Sequence, residues 1–318
     1  MYRAFYNLEE EPFRLTPDPR FLHLAEPHRA ALTVLIRAVA LRKGFVMVTG
    51  PVGTGKTTLL HATLQILSRK LAADDMFATA FIVNPLLSPQ EFYDTFLDEF
   101  EVSCPSASKP HRLAALQQMF LARQRQGGTA ILIIDEAHLL TVELLEEIRL
   151  LSNTDTYREK LVQIILCGQP ELALLLDQPQ MRALQQRIAA RCQLRALSLA
   201  ETRSYIAERL HAAGLRAASP FLPAALEEIY RYARGIPRLI NLLCDACLTL
   251  GCDTQQKVVH LDIVEEAAAA LGMQALAPAE PQPSHGLSSP QENHPLKSTV
   301  DILIKAMKQG REDARIKP

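Results

Sequence analysis

Residues 45–71, FVMVTGPVGTGKTTLLHATLQILSRKL, decide how the chain folds. Phe45–Thr49 read as a short buried strand, and LLHATLQILSRKL reads as a helix. Between them, Gly50-Pro51-Val52-Gly53-Thr54-Gly55-Lys56-Thr57 fits GxxxxGK[ST] at every position, and Thr58 follows. A strand before this motif and a helix after it form the context in which it holds phosphates. Glycines without Cβ let backbone N–H groups converge on phosphate oxygens, and the helix start adds partial positive charge. Residues 50–58 are therefore expected to cradle a nucleotide, with Lys56 reaching the β- and γ-phosphates and Thr57 ligating Mg²⁺.

The matching half lies downstream in ILIIDEAH, residues 131–138. Asp135, at the tip of an apolar strand, is placed to hold Mg²⁺ mostly through water, and Glu136 to polarise an attacking water as general base. The glutamate, together with the absence of a guanine-reading NKxD motif, points to ATP rather than GTP. The letters DEAH also occur in helicases, but a helicase needs a second α/β sheet, and residues 198–272 read as helices only. His138 is open to two readings: a sensor of the γ-phosphate region, or a cap of the next helix.

Outward from these motifs the pattern is regular. A first helix carries Leu32, Leu35, Ile36 and Val39 on one face and stops at Gly44. FATAFIVN, AILIID and VQIILC read as further strands, and QLRAL (193–197) as a fifth. Helices intervene. One starts with Ser88, Pro89 and Glu91 as a capping box, and another runs over 109–126 to Gly127-Gly128. Ser198 and Glu201 form a second capping box at the start of a helix that ends at Gly214, and helices near 223–234, 237–250 and 262–271 follow. The fold class is α/β: a five-stranded parallel sheet flanked by helices, followed by a small all-helical lid.

The division is 1–43 for the N-terminal segment and first helix, 44–197 for the nucleotide-binding core and 198–272 for the lid. A Pro-, Ser- and Gln-rich linker, 273–297, leads to a tail, 298–318. With Val300, Leu303, Ile304 and Met307 on one side, that tail is either a docking helix or unstructured.

Composition bounds the function. The 318 residues are 48% hydrophobic and 22% charged, with net charge −1, which gives no global field for nucleic acid. No apolar run reaches the roughly 18 residues of a membrane span, and the acidic start MYRAFYNLEEEPF does not look like a signal peptide. Six scattered cysteines suit a reduced, cytoplasmic protein. Cys244 and Cys247 form a CxxC inside a helical run, where two core residues one turn apart is the leading reading over a metal or redox pair.

Taken together, the chain resembles AAA+ ATPases, and in particular the general secretion pathway protein A (ExeA-type) family. The likeness covers residues 1 to about 272 and rests on FYNLEEEPFRLTPDPRFLHLAEPHRAAL, GFVMVTGPVGTGKTT, IIDEAHLLTVELLEEIRLLSN, KLVQIILCGQPEL, QQRIAARCQLRALS and ARGIPRLINLLCDACL. It implies three further roles. Gln169 stands where a polar sensor watches the γ-phosphate, or is a plain turn residue. Arg187 and Arg191, read as one helical turn apart, are candidates for an arginine finger acting in trans, or form a solvated basic face. Arg187 is preferred because it precedes Ile188. Arg238, after Pro237 at a helix start, would touch the γ-phosphate and couple the lid to nucleotide state.

The resemblance also implies a ring or filament of identical subunits with ATP at the interfaces, and TPDPRF near the adenine pocket. The implied partner is a protein of an envelope or secretion system. ATPases of the same clade act on DNA with a transposase, which is the alternative. A third possibility is a nucleotide-gated scaffold that hydrolyses slowly. Longer secretion members continue into a membrane span and a peptidoglycan-binding domain. The polar linker and short tail here lead us to expect a soluble single-module ATPase in the bacterial cytoplasm, or peripheral at the inner membrane through a partner.

Overall fold

The computed structural model describes residues 2–15, 25–70, 77–106, 108–154 and 160–275. TPDPRF, most of the linker and the whole tail lie outside the described residues. In chain order the elements begin with α1 (Tyr2–Phe5), α2 (Glu26–Ala40), β1 (Phe45–Thr49), α3 (Lys56–Lys70), β2 (Phe77–Ile82), α4 (Pro89–Glu99) and α5 (Lys109–Arg125). They continue with β3 (Thr129–Ile134), α6 (Val142–Leu151), β4 (Val162–Gly168), α7 (Glu171–Leu176), α8 (Arg182–Gln185) and β5 (Ile188–Gln193). Helices α9 (Leu199–Ala212), α10 (Pro223–Ala233), α11 (Pro237–Asp253) and α12 (Leu261–Ala270) complete the set.

The chain divides into two compact units. One comprises the described parts of Pro27–Pro51 and Leu59–Leu194 and contains the sheet. Its five strands are parallel, in the order β2-β3-β4-β1-β5. Every residue of β1, β3 and β4 is buried, as expected of strands covered on both faces and written as unbroken apolar runs. Strand β4 lies between β1 and β3, so the carboxyl ends of these three strands sit side by side on one edge of the sheet, where ligands of open α/β sheets bind.

Helix α4 begins as its sequence dictates: Glu91 N–H donates to Ser88 Oγ at 3.3 Å, and Ser88 N–H to Glu91 Oε2 at 2.8 Å. Its Phe92, Tyr93 and Phe96 are buried in the core beside Phe120, each contributing roughly 1.5–3 kcal/mol by leaving water.

The fifth strand departs from the sequence reading. It runs over Ile188–Gln193 rather than 193–197, pairing with β1 as an edge strand. Its side chains are mostly half-buried or exposed, so it lacks the apolar run by which β1, β3 and β4 announce themselves. The buried Leu194 and Leu197 follow it and mimic a strand. Arg187 therefore precedes a strand and Arg191 lies within it, so they are not one helical turn apart.

The other unit comprises the described parts of Met1–Glu26, Val52–Thr58 and Arg195–Asn293. Tyr2, Tyr6, Leu8 and Phe13 share a core with apolar residues of α9–α12. Tyr2 OH donates to an Asp245 carboxylate oxygen, and Tyr6 OH to the Gln256 carbonyl at 2.9 Å. The buried Arg209 guanidinium donates to the carbonyls of Pro12 and Arg14 and to Tyr205 OH. Gly235, at φ +70°, lies against the Leu197 backbone, where any Cβ would collide with the Leu197 carbonyl. Cys244 and Cys247 are fully buried, and burial pushes the Cys247 thiol up to about 12 and the Cys244 thiol well above the ordinary range. They are core residues. Among the described residues no helix is long and apolar enough to cross a membrane.

Candidate functional site

The phosphate loop leaves β1 at Gly50, whose N–H donates to the Gly168 carbonyl at the end of β4, 3.2 Å away. Gly53 and Gly55 have φ of +79° and +91°, a region other residues enter at a cost. Between them Thr54 is fully buried, and Lys56 opens α3 with 6% of its surface exposed. Two left-handed glycines and a buried lysine at a helix start form the arrangement that directs N–H groups and one cation at a phosphate.

Arg238 lies against this loop. Its N–H donates to the Gly53 carbonyl at 3.2 Å, which satisfies one orphan donor of the first turn of α11. A Cβ on Gly53 would approach Arg238 Cβ to 2.9 Å and Ile236 Cγ2 to 3.0 Å, so glycine is required there twice, for φ and for space.

Asp135 follows β3 with 2% of its surface exposed. Its N–H donates to the Ile82 carbonyl at 2.9 Å, and its Oδ1 accepts the Glu136 N–H at 2.9 Å. Glu136 is left-handed (φ 50°, ψ 33°), a strained conformation for a side chain of this size, and it starts a single 3₁₀ turn, Ala137–Leu139. That turn carries His138 back toward Glu136: His138 Nδ1 is 3.4 Å from Glu136 Oε2. On the other side of the ring, His138 Nε2 is 3.0 Å from Gln169 Nε2. Glu136, His138 and Gln169 thus form one cluster at the carboxyl ends of β3 and β4.

The sequence reading gave Gly168 no role, yet it packs closely against the turn that carries His138. A Cβ there would come within 3.0 Å of the His138 backbone nitrogen. The one available signal was a glycine ending an otherwise apolar strand.

Arg187 makes its hydrogen bonds elsewhere, at the C-terminal end of α6: to Ser152 Oγ at 2.6 Å, Asn153 Oδ1 at 2.5 Å and the Arg149 carbonyl at 3.5 Å. Arg191 is 42% exposed at its side chain and 3.8 Å from Asp177.

Among the described residues no group of three His, Cys, Asp or Glu side chains gathers as a metal site. Mg²⁺ in phosphoryl-transfer sites takes one or two protein oxygens and completes its shell with phosphate and water. The hydroxyl of Thr57 and the carboxylate of Asp135 are hard oxygen donors of that kind.

Comparison with known proteins agrees with the motifs. The family model described as AAA domain matches residues 39–176. General secretion pathway protein A of Aeromonas hydrophila is 39% identical over 266 residues, 83% of this chain and 47% of that protein, so the chain spans about half the length of its curated relative. Among solved structures, the Aeropyrum pernix ORC2 protein in its ADPNP-ADP complexes superposes with a TM-score of 0.62 at 16% identity, over 82% of this chain and 71% of that one. Drosophila ORC bound to DNA superposes with a TM-score of 0.64 at 16% identity, over 85% and 66%. These two likenesses concern the fold. By motif, sheet order and sequence, the chain belongs to the AAA+ P-loop ATPase family, and its module is of the type carried by general secretion pathway protein A.

Proposed function

We propose that the chain binds ATP with Mg²⁺ and hydrolyses it to ADP and phosphate. The observation that carries this reading is a complete GxxxxGKT loop directly after β1 together with Asp135 and Glu136 directly after β3, two strands of one parallel sheet with β4 between them. Residues 50–58 bind the phosphates, and Lys56 offsets charge on the β- and γ-phosphates. Thr57 and Asp135 hold the metal, Asp135 mostly through water; Mg²⁺, when bound, neutralises phosphate charge. Glu136 takes a proton from water as its oxygen bonds to the γ-phosphorus and the bond to the bridging oxygen breaks. Gln169 orients the water and senses the γ-phosphate, and Arg238 reports nucleotide state to α11. An arginine from a neighbouring subunit, Arg187 or Arg191, stabilises the transition state in trans within a ring or filament.

The work driven by this turnover is assembly or secretion-accessory action on a protein partner at the bacterial envelope. The chain acts in the cytoplasm or at the inner membrane through that partner. Likeness to general secretion pathway protein A supports this over a DNA-acting regulator of transposition. A DNA-acting regulator would need a basic stripe, and of its candidates Arg182, Arg187, Arg191, Arg195, Arg203 and Arg209 the last five are engaged within the chain. Arg195 pairs with Glu201, Arg203 with Glu227 and Arg191 with Asp177; Arg209 is buried; Arg187 is bonded to Ser152 and Asn153.

The deciding experiment measures ATP binding and turnover in the wild type and two variants. Lys56→Ala is expected to lose binding, and Glu136→Gln to bind ATP without turning it over. Normal hydrolysis by Glu136→Gln would reject the general base. ATP-dependent DNA binding that falls steeply with salt would favour the transposition reading.

A further inference from the structure

We propose that Ser152 and Asn153 are positioning residues for Arg187: they hold its guanidinium by uncharged oxygens, so that it meets a neighbouring subunit's γ-phosphate fixed in place and with its charge intact. This deepens the trans-arginine reading above and rests on it. Its basis is a cradle at the C-terminal end of α6. Arg187 Nη1 donates to Ser152 Oγ at 2.6 Å and Nη2 to Asn153 Oδ1 at 2.5 Å, and Nη1 has a longer contact, 3.5 Å, with the Arg149 carbonyl.

Both partners are fixed as acceptors. Ser152 is 4% exposed, and its hydroxyl proton is committed to the Arg149 carbonyl at 2.7 Å, which leaves the lone pairs of Oγ for the guanidinium. A guanidinium only donates, so the Asn153 atom that faces it is Oδ1. The Arg149 carbonyl is one of the last four of α6, where a helix end attracts a cation without a carboxylate. The other end of α6 is capped by Thr141, whose side chain accepts the Leu144 N–H at 3.3 Å, so His138 is not its cap.

The carboxylate that feels the Arg187 charge is already taken. Arg149 donates to both oxygens of Glu146, at 2.8 and 2.6 Å, and with Arg187 acting through space it holds that carboxyl below the usual range. Arg191 differs: it faces the Asp177 carboxylate at 3.8 Å. An arginine acting in trans works by its charge on the transferring phosphoryl group, and a carboxylate partner would cancel much of that charge. Uncharged acceptors fix the direction of the fork and leave the charge, and a side chain already ordered loses less freedom when the subunits meet. By this criterion Arg187, not Arg191, is the trans residue.

Three substitutions separate charge from anchoring in ATPase assays of the full chain. Asn153→Asp keeps the shape and the hydrogen bond but adds a carboxylate. It should lower kcat at least about tenfold, with KM for ATP changed by less than about twofold, because the nucleotide is held by the other subunit. Asn153→Ala and Ser152→Ala loosen the guanidinium without neutralising it, and each should lower kcat about two- to fivefold. A purely structural contact gives the reverse order, with aspartate tolerated best. Aspartate no worse than alanine, or an effect confined to KM, would overturn the proposal.

Mixing experiments place the defect. Asn153→Asp should regain part of its rate with Lys56→Ala, which brings an intact Arg187, and nothing with Arg187→Ala, which lacks the same function. The opposite result in either mixture would overturn the cradle. Arg187→Ala separates the two failures. If it keeps its rate, or is not restored by Lys56→Ala, the trans-arginine reading falls and the cradle with it. If it behaves as expected while Asn153→Asp is normal, only the cradle is rejected.

Discussion

The backbone N–H of Arg238 donates to the carbonyl of Gly53 at 3.2 Å, so the first turn of α11 rests on the phosphate loop. Gly53→Ala should therefore fail twice. It forces a side chain to φ +79°, at roughly 1–2 kcal/mol, and drives a methyl group into Arg238 Cβ. We expect nucleotide affinity to weaken at least about tenfold, read by titration with a fluorescent ATP analogue. Affinity equal to wild type would mean that the loop relaxes freely.

Arg187 is bonded to Ser152 and Asn153 at the end of α6, while Arg191 has one loose contact with Asp177. Arg187→Ala should lose ATPase activity and regain part of it when mixed with Lys56→Ala, because each subunit then supplies what the other lacks. Arg191→Ala should keep more activity. Ser152→Ala should lower activity partway, by freeing the Arg187 side chain. Absence of rescue in the mixture would remove Arg187 as a trans-acting residue.

Two glycines at similar φ make a controlled pair for stability. At Gly235 (φ +70°) an added Cβ strikes the Leu197 carbonyl, whereas at Gly127 (φ +78°) it meets nothing within 4 Å. Gly235→Ala should cost about 3 kcal/mol or more, and Gly127→Ala only the backbone term of about 1 kcal/mol. Urea denaturation of both variants measures the difference, and similar costs would show that backbone strain alone decides.

Glu201 links pH to the stability of α9. The Arg195 guanidinium beside it, with the Ser198 N–H and hydroxyl, holds its carboxyl down to about 2. A carboxyl depressed on folding contributes stability that is complete above the unfolded value, about 4.5, and is lost as pH falls toward 2. Arg195 is 56% exposed at its side chain, so solvent screening limits the contribution to about 1 kcal/mol. Melting between pH 6 and pH 2.5 should show a decline that is smaller in Glu201→Gln. Identical slopes would sink this assignment.

The cysteines should divide by burial. Cys104 and Cys252 are partly exposed, while Cys167, Cys192, Cys244 and Cys247 are buried. Native protein should react with a thiol reagent at Cys104 and Cys252 first, and at Cys244 and Cys247 only on unfolding. Fast labelling of the CxxC pair would show that α11 opens.

What the sequence disclosed follows from locality. Strands β1, β3 and β4 were legible because burial on both faces demands apolar runs, and the capping boxes at Ser88 and Ser198 because their partners are three residues away. Strand β5 was misread because an edge strand with half-exposed side chains leaves no such pattern, and that error carried over to the spacing of Arg187 and Arg191. The phosphate loop and Asp135-Glu136 were legible as motifs. The contact of Arg238 with Gly53 was not, nor was the place of His138, whose ring lies 3.0 Å from the amide of a glutamine 31 residues further on.

The tie between Tyr2 and Asp245 spans 243 positions of chain, and that between Tyr6 and Gln256 spans 250. A ribosome releases the amino-terminal strip long before the helices it packs against exist. The sheet can close as soon as β5 has emerged, but Tyr2, Tyr6 and Phe13 must wait in water until α11 and α12 are made. During that interval their apolar surface is open to chaperones and to other nascent chains. A change in Tyr2, Tyr6 or Phe13 therefore disturbs a packing that closes late in synthesis, although the residues themselves are made early.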